Sequence, residues 1–424
     1  MTEEIKTRIE SIRKGEVPNG YSEGVAGILP NDWTSKPLSE ISEVIAEQAG
    51  DDDYETLSIS AGIGFVNQAQ KFGKELSGKQ YEKYTVIRKG DFAYNKGNSK
   101  RYPQGCTYRL KERDEAAVPN VFECFRIAEG CPEYYEQLFI NGFMNRQLMR
   151  KINHGVRDDG LLNLTDADFY STILPVPPLA EQQKIAKILS SCDAAIQKYK
   201  SQKSYFLQLK KYLLSKMFPD INSEFPELRF EEFTTPWEIH KFGEMFKRRM
   251  ERNNGQFDKT RWISVAQMYF QEPDKVTSNN IDTRTYVMRK GDIAFEGHQN
   301  QDHKYGRFVE NDIGDGVISE LFPIYEHMGE FDLNYWKYAI QIEEIMAPKL
   351  LRCIEISYTS SNKLDEKFFL NEKVAVPSIL EQERIGNLFK EIDTLINLYT
   401  QMLDELRRQK DFLSTVLLTG VVRV

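Results

Sequence analysis

The sequence predicts an α+β protein in which two mixed α/β domains alternate with two long helices that pair as an antiparallel coiled coil. An internal repeat is the first observation: Glu181-Gln182 recurs as Glu381-Gln382. The same offset of 200 relates Asp193 to Asp393 and holds without a gap along this stretch. A constant offset of this kind indicates two copies of one unit, which predicts an internal pseudo-twofold repeat.

The repeat extends into the segments before each helix. Residues 86–94 resemble residues 287–295, and both copies contain Arg-Lys-Gly-Asp. The Lys-Gly-Asp triplet predicts a hairpin turn in which glycine adopts a positive φ, so it is more readily explained as scaffold than as a site. Further strands are expected near residues 56–60, 84–87, 91–94, 107–110, 262–265, 285–288 and 292–295. One helix is expected at 134–151, with a counterpart at 335–351.

The two long helices are predicted by apolar residues at heptad spacing. The positions assigned to helix packing are Ile185, Ile188, Tyr199, Phe206 and Leu213 in the first copy and Ile385, Leu388, Ile392, Tyr399, Leu406 and Leu413 in the second. Ordinary bundle helices are the alternative, but sustained heptads in both copies favour a coiled coil. A helix of nearly forty residues is about 55 Å long, so these helices are expected to act as rigid spacers.

Proline-rich stretches and the helices divide the chain into five segments. We expect a helix and lead-in at 1–29, a first domain at 30–178, a central helix at 179–218, a lead-in and second domain at 219–378, and a final helix at 379–424. Each copy is then a domain of about 150 residues followed by a helix, a usual domain size.

The composition is that of an intracellular globular protein. The sequence contains no run of eighteen apolar residues, so no membrane span is predicted. The acidic start of the chain does not resemble a secretory signal. Five dispersed cysteines suit a reducing cytoplasm and form no CxxC pair. The net charge of −8 disfavours bulk attraction to nucleic acid, although residues 181–217 carry eight lysines and only two acidic residues.

The two copies differ most in a polar loop that follows the Lys-Gly-Asp turn. These loops are rich in the amide, cationic and imidazole groups that read base edges. The candidate DNA-binding residues are Asn95, Lys96, Asn98, Ser99, Lys100, Arg101 and Tyr102 in the first loop and His298, Gln299, Asn300, Gln301, His303, Lys304 and Arg307 in the second. A solvated surface loop is the alternative that composition alone favours slightly.

Signs of catalysis are sparse. His298 and His303 have the wrong spacing for a helical metal pair, so no metal site is predicted. The stretch 61–64 is a fragment of a glycine loop and only weak evidence for nucleotide binding. No methyltransferase motif, phosphate loop or nuclease cluster was found, so no catalytic residue is assigned.

Taken together, the chain resembles the specificity subunit of type I DNA restriction–modification systems. The resemblance rests on the stretches 175–185 and 376–385, on 225–230 leading to Trp237, on the repeated Arg-Lys-Gly-Asp, and on 417–420. It covers essentially the whole chain. The second copy has one more residue between proline and Glu381 than the family's Pro-x-x-Glu-Gln pattern, which shifts the helix entry slightly.

The resemblance implies a non-catalytic, cytoplasmic DNA-binding subunit. Each domain would be a target recognition domain that reads half of a bipartite, asymmetric sequence, and the helices would set the gap and dock methyltransferase subunits, expected to number two. Restriction subunits would join them. The subunit would need no cofactor of its own, because S-adenosylmethionine, ATP and Mg²⁺ would be used by the partners.

Two other classes of function stay open from the residues alone. A single-chain DNA methyltransferase or nuclease with its own recognition domains would need catalytic motifs that we do not find. A coiled-coil adaptor that binds only protein would not need divergent polar loops.

Overall fold

The structure is a computed structural model that describes residues 3–73, 78–97, 101–152, 161–220, 223–278, 280–355 and 361–424. The chain forms two compact units. Unit 1 comprises Met1–Lys198 and Leu403–Val424, and unit 2 comprises Tyr199–Met402. Each unit therefore contains one part of each long helix.

Unit 1 mixes short strands with helices, the last of which is long. Its elements are α1 (Glu3–Arg13), β1 (Tyr21–Gly24), β2 (Gly27–Pro30), β3 (Thr34–Pro37), α2 (Leu38–Ile41), β4 (Ser42–Val44), β5 (Leu57–Ser60), β6 (Gly64–Asn67), α3 (Gln68–Phe72), β7 (Thr85–Arg88), β8 (Phe92–Asn95), β9 (Cys106–Arg109), β10 (Glu115–Val118), β11 (Glu123–Ile127), α4 (Pro132–Ile140), α5 (Asn145–Lys151), α6 (Asp166–Tyr170), β12 (Ile173–Val176) and the start of α7 (Leu179–Lys216).

Unit 2 follows with a similar series. Its elements are β13 (Glu238–Lys241), α8 (Phe242–Met245), β14 (Phe246–Arg249), β15 (Ile263–Ser264), β16 (Tyr269–Phe270), β17 (Thr285–Met288), β18 (Ile293–Glu296), β19 (Arg307–Glu310), β20 (Gly316–Ser319), β21 (Ile324–His327), α9 (Leu333–Ala339), α10 (Glu343–Cys353), β22 (Ile354–Glu355), β23 (Lys363–Leu364), α11 (Glu366–Asn371), β24 (Lys373–Val376) and the start of α12 (Ile379–Leu418). Short 3₁₀ helices lie at Gly78–Lys83, Lys259–Arg261 and Pro273–Lys275.

Four sheets of unit 1 have counterparts with the same strand order in unit 2, while the pairs β1–β2 and β22–β23 have no matching pair among the described residues. Unit 1 has a four-stranded antiparallel sheet in the order β4-β11-β8-β9, and unit 2 has β14-β21-β18-β19. The pairs β3–β12, β5–β6 and β7–β10 correspond to β13–β24, β15–β16 and β17–β20. The predicted α+β class and internal repeat are therefore confirmed at the level of topology.

Aromatic side chains fill the main core of each unit. In unit 1, Tyr94 stacks on Phe169 with ring centroids 4.4 Å apart, and in unit 2 Phe308 stacks on Phe369 at the same separation. Tyr94 and Phe308 lie on the four-stranded sheets, so these contacts join a sheet to α6 or α11. Offset aromatic pairs of this kind add to the free energy gained from burial.

Two local predictions were wrong. The single helix expected at 134–151 is two helices, α4 and α5, because Gly142 adopts a φ of 69° between them. The counterpart is likewise divided into α9 and α10.

The Lys-Gly-Asp turn is tight, with φ of 100° at Gly90 and 90° at Gly291, but it is not a hairpin. Its flanking strands β7 and β8 pair with β10 and with β9 and β11, not with each other. Asp91 Oδ2 accepts the backbone N–H of Arg88 at 2.7 Å, and Asp292 does the same for Arg289. The triplet therefore connects two sheets in each unit, which is a scaffold role.

The repeated glutamate is buried where each long helix begins. In unit 1, Glu181 accepts the indole N–H of Trp33 at 3.0 Å and two hydrogen bonds from the Arg423 guanidinium at 2.7 Å. Burial opposes ionisation of Glu181, yet the hydrogen bonds from Arg423 and Trp33 lower its pKa. Arg423 also pairs with Asp32, so it connects the helix to the lead-in.

Unit 2 repeats this arrangement with residues from a different part of the chain. Glu381 is 1% exposed and accepts the indole N–H of Trp237 at 3.2 Å. Arg229 forms a bidentate pair with it at 2.8 Å, and its side chain is 13% exposed. We refer to Trp33, Glu181 and Arg423, and to Trp237, Glu381 and Arg229, as the two Trp–Glu–Arg clusters.

The glutamine that follows each glutamate joins the helix start to the globular part of its unit. Gln182 donates to the carbonyl of Pro177 at 2.8 Å and accepts the N–H of Cys131 at 2.9 Å. Gln382 donates to Pro377 at 3.0 Å and accepts the N–H of Asp332 at 3.2 Å. The Glu-Gln pair is repeated because both side chains hold a buried junction.

Within each unit the two long helices pack against each other through apolar and charged residues. Ile185, Ile385 and Ile392 are buried, and the other heptad positions are partly buried. In unit 2, Tyr199 and Phe206 both contact Tyr399.

An aspartate on one helix meets a lysine on the other in each unit. Lys410 donates to Asp193 Oδ1 in unit 1, and Lys210 donates to Asp393 Oδ1 at 2.6 Å in unit 2. The positions in contact rise along one helix and fall along the other, as antiparallel pairing requires. None of the described helices is both long and apolar enough to span a bilayer.

Unit 2 also buries a carboxyl group that the repeat does not explain. Glu310 is 1% exposed, and neither of its carboxyl oxygens has a hydrogen-bond partner among the described residues. Burial raises its pKa well above the usual value; Asp312, Asp332 and Asp292 act in the same direction, and Lys337 opposes them. The folded protein therefore favours the neutral acid.

We expect Arg229→Ala to lower the free energy of unfolding by roughly 3–5 kcal/mol, because it leaves Glu381 buried without its cation. Arg384→Ala is the matched control, since Arg384 lies 3.7 Å from Glu232 in an exposed pair worth about 0–1 kcal/mol. Urea unfolding, with hydrogen exchange of the first turns of α12, measures both. Equal losses in the two variants would show that the buried pair adds nothing.

We expect Glu310→Gln to make unit 2 more stable at pH 8 than the natural chain, with a much smaller gain at pH 5. Because the folded pKa is raised, the contribution of Glu310 is fully present below its unfolded pKa and is lost as pH rises through the folded pKa. Urea unfolding at the two pH values tests this, with exposed Glu330→Gln as the control. A gain that does not change with pH would contradict it.

Candidate nucleic-acid interface

The two divergent polar segments occupy the same place in their units. We define loop 1 as residues 96–105, between β8 and β9, and loop 2 as residues 297–306, between β18 and β19. Each leaves the end of a central strand of the four-stranded sheet. Loops held on a rigid sheet are common positions for binding residues.

Both loops are held at their start by the same backbone contact. The N–H of Leu162 donates to the carbonyl of Lys96 at 2.9 Å, and the N–H of Asn362 donates to that of Gly297 at 2.9 Å. Isolated β-bridges join Gly97 to Leu161 in unit 1 and His298 to Ser361 in unit 2. The anchors match even though the loop sequences do not.

The beginning of loop 1 is taken up by contacts within the protein. Lys96 is 13% exposed on its side chain and pairs with Glu123 at 2.7 Å and Asp166 at 2.8 Å. Burial opposes its charge, but the hydrogen bonds that it donates to the two carboxylates raise its pKa. Asn95 Oδ1 accepts the N–H of Gly97 at 2.8 Å. Asn98, Ser99 and Lys100 lie outside the described residues.

The next residues of loop 1 lie against a turn of another hairpin. Arg101 is exposed, and its guanidinium lies 5.7 Å from the centre of the Tyr102 ring. A Cβ placed on Gly62, in the turn between β5 and β6, would lie 3.1 Å from the Tyr102 hydroxyl and 3.6 Å from Arg101 Nη1. The N–H of Gly62 donates to the Tyr108 hydroxyl at 2.7 Å, and burial raises the pKa of Tyr108 to about 12.

Loop 2 is organised by a buried glutamate at the end of β18. Glu296 is 3% exposed and lies 2.6 Å from His298 Nδ1 and 3.3 Å from Arg307 Nε. Arg307 also donates to the carbonyl of Ala266, in the turn between β15 and β16. Its side chain is 20% exposed, whereas that of His298 is 53% exposed. Arg307 holds the loop, and His298 reaches solvent.

The remaining candidates of loop 2 divide in the same way. His303 is 15% exposed and pairs with Glu343 at 3.0 Å. Asn300 Oδ1 accepts the N–H groups of Asp302 and His303, which forms an Asx turn. The other candidates are exposed, namely Gln299, Gln301 and Lys304.

The geometry divides the described candidates into those that hold the loops and those that face solvent. Lys96 and Arg307 pair with carboxylates and His303 contacts Glu343, while Arg101, His298 and the exposed amides and lysine can reach a ligand. These donors suit base edges, since Arg and Lys pair with guanine and Asn and Gln with adenine. Among the described residues, no group of three or more His, Cys, Asp or Glu side chains could hold a metal ion.

Sequence reasoning missed two parts of this surface. The turn 61–63 lies close to residues 101 and 102 of loop 1, and the turn 265–268 accepts a hydrogen bond from Arg307, directly after loop 2. The segments 161–162 and 361–362 anchor the loops. The glycines at 62 and 64 are the one sequence feature that could have identified the turn 61–63. They support a tight turn rather than a nucleotide-binding loop. Their φ angles are 86° and 111°.

Comparison with known proteins agrees with this organisation. Residues 30–209 match the family model described as "Type I restriction modification DNA specificity domain". The putative type I restriction enzyme MjaX specificity subunit of Methanocaldococcus jannaschii is 23% identical, with 94% of this chain and 95% of that protein covered. The chain is therefore similar to type I restriction enzyme specificity subunits, and residues 30–209 carry the match to the family model.

A second relative aligns with a smaller part of this chain. The MjaVIII specificity subunit of the same organism is 25% identical over 297 residues, which is 62% of this chain and 65% of the relative, a little under two thirds.

Solved structures support the fold. The specificity subunit of a type I system from M. genitalium has a TM-score of 0.56 at 13% identity, covering 95% of this chain and 97% of that one. A chain from a study of assembly of a type I restriction–modification system has a TM-score of 0.51 at 15% identity, covering 93% and 99%. At these identities the likeness concerns the fold.

We expect Arg307→Ala to loosen loop 2, because it removes the cation beside buried Glu296 at a cost of about 1–3 kcal/mol. Hydrogen exchange across residues 297–306 should increase. Lys304→Ala, which removes an exposed cation from the same loop, is the control and should leave exchange unchanged. Equal exchange in the two variants would contradict a holding role for Arg307.

Proposed function

We propose that the chain is the DNA sequence-recognition subunit of a type I restriction–modification complex, and that each unit reads one half of a bipartite, asymmetric target. The single observation that carries this is the contrast between the units. Sheet order, helix junction and loop anchor are the same, while the exposed side chains of loops 1 and 2 differ. Two readers of different half-sites need this combination.

Recognition would combine two kinds of contact. Lysine and arginine contacts to phosphates position a protein on DNA without reading sequence, and they weaken as salt rises. Hydrogen bonds from Arg101 and Tyr102 in unit 1, and from His298, Gln299 and Gln301 in unit 2, would reach base edges. Arg307 and Lys96 would act indirectly, because they hold the loops that carry these groups.

The paired helices would set the distance between half-sites and dock the partners. We propose two methyltransferase subunits on the helices, joined by restriction subunits in the complete complex. Methyl transfer from S-adenosylmethionine, ATP hydrolysis and Mg²⁺-dependent cleavage would belong to those partners. Purified chain that methylated or cut DNA alone would overturn this division and favour the single-chain enzyme.

We expect Arg101→Ala to relax one half of the target and His298→Ala to relax the other half. The measurement is sequencing of methylated adenines in a host that lacks other adenine methylation and expresses the variant with its methyltransferase partner. Lys304→Ala is the comparison for loss of an exposed cation from loop 2, and equal loss of methylation at all sites in this variant would indicate a phosphate contact by Lys304. If Arg101→Ala or His298→Ala lowered methylation at all sites equally, base readout by the substituted residue would be excluded.

We expect a heptad inserted in both helices, after Lys200 and after Thr400, to lengthen the nonspecific gap by about three base pairs. Seven residues add about 10 Å of helix, and the rise of DNA is about 3.4 Å per base pair. Insertion in one helix alone is the control, since it displaces the Asp–Lys pairs and should abolish site-specific methylation. An unchanged gap in the double insertion would contradict the ruler.

A further inference from the structure

In each unit, the turn of a neighbouring hairpin lies close to residues in the polar loop or directly after it. The turn between β5 and β6, residues 61–63, lies next to Arg101 and Tyr102, since a Cβ placed on Gly62 would be 3.6 Å from Arg101 Nη1 and 3.1 Å from the Tyr102 hydroxyl. The turn between β15 and β16, residues 265–268, receives the Arg307 hydrogen bond at Ala266. The candidate surface in each unit therefore has two parts, and the second part was not recognised from sequence.

Unit 1 carries a large apolar side chain in this turn. Ile63 is 75% exposed, and it lies between Gly62 and Gly64, both of which have positive φ. Tight turns favour Gly, Asn, Asp and Ser, and a β-branched residue has poor turn propensity. Neither turn formation nor core packing explains isoleucine at this position.

Exposure alone does not distinguish Ile63, because single exposed apolar residues are common on protein surfaces. Val25, in the turn between β1 and β2, is 72% exposed in the same unit. The difference lies in the surroundings. Ile63 follows the glycine that lies next to Arg101 and Tyr102, whereas the Val25 hairpin contacts Gly420 near the end of the chain through Tyr21.

We propose that Ile63 contacts the 5-methyl group of a thymine in the half-site read by unit 1. The thymine methyl is the one apolar group on the base edges of the major groove, and it is read by apolar side chains. Arg101 beside it supplies a cation that would face phosphate or guanine. This inference rests on the proposed function and adds a specificity residue outside the polar loop.

The equivalent turn of unit 2 presents different chemistry. Gln267 is exposed there, next to the Ala266 carbonyl that binds Arg307. An amide would read a base edge by hydrogen bonding, not through a methyl group. The exposed side chains of the two turns therefore differ between the units, as those of loops 1 and 2 do.

The experiment uses the assembled complex of the full chain with its methyltransferase partner. The target is first read from methylated adenines with the natural chain, and oligonucleotides are then made in which each thymine of the unit 1 half-site is replaced in turn by deoxyuridine. This removes only the methyl group. We expect one replacement to weaken binding of the natural complex about fourfold, the factor for burying one methyl group.

Ile63→Ser should bind the thymine and deoxyuridine forms of that site equally, and methylome sequencing should show relaxed selection at that position alone. Val25→Ser is the matched control and should behave as the natural chain does. Thermal unfolding of both variants checks that the exposed substitutions leave the fold intact.

If no deoxyuridine replacement distinguishes the natural complex from Ile63→Ser, the methyl contact is excluded while the bipartite target stands. If the natural complex methylates no bipartite sequence, the proposed function itself fails. An Ile63→Ser complex that lost binding to all sequences equally would also overturn the inference, because it would indicate a general rather than a base-specific contact.

Discussion

The structure depends on a buried carboxylate at the start of each long helix. Glu181 and Glu381 each accept hydrogen bonds from an indole N–H and from an arginine. Burying an ion is costly unless its hydrogen bonds are satisfied, and here both carboxylate oxygens are occupied. The adjacent glutamine ties the same turn to the proline junction and to the globular part. These contacts fix the direction of each helix at its start. The proposed role of the helices in setting the distance between half-sites requires this fixed direction.

The repeat preserves interactions even where it exchanges the residues that make them. Shortly after β9 of unit 1, Lys111 pairs with Glu136 of α4 at 2.6 Å; at the matching positions of unit 2, Asp312 pairs with Lys337 of α9. The charges are reversed, but the strand and helix are still joined. Both residues of this ion pair differ between the units, and the pairing is kept. The exposed side chains of loops 1 and 2 could differ without a matching change in a second residue.

Much of the fold could be predicted from sequence because its signals are local or repeated. Strands β7 and β17 contain adjacent apolar residues, Val86-Ile87 and Val287-Met288. The heptads and the Glu-Gln pair recur at one offset. The residues that complete the clusters could not be predicted. Arg229 is 152 positions from Glu381 and Arg423 is 242 from Glu181, and no local pattern reveals pairs so distant.

The site was predicted less well, for a related reason. Residue type alone cannot tell an arginine that faces solvent from one that neutralises a buried acid. Arg101 and Arg307 looked equivalent in sequence, yet Arg307 lies beside Glu296. The turn at Gly62 was considered only for nucleotide binding because its contact with Tyr102 is a tertiary one. The assignment of base-reading residues stays a prediction.

The origin of Arg423 has a consequence for the order of synthesis. The globular part of unit 1 leaves the ribosome first, but the arginine that neutralises Glu181, together with core residues such as Val416 and Leu417, is made only after all of unit 2. At synthesis rates of about 5–20 residues per second, that delay is on the order of 10–40 s. The unit that is begun first is completed last, so the nascent chain must keep an open apolar seam and an unpaired acid until the second recognition unit has been made.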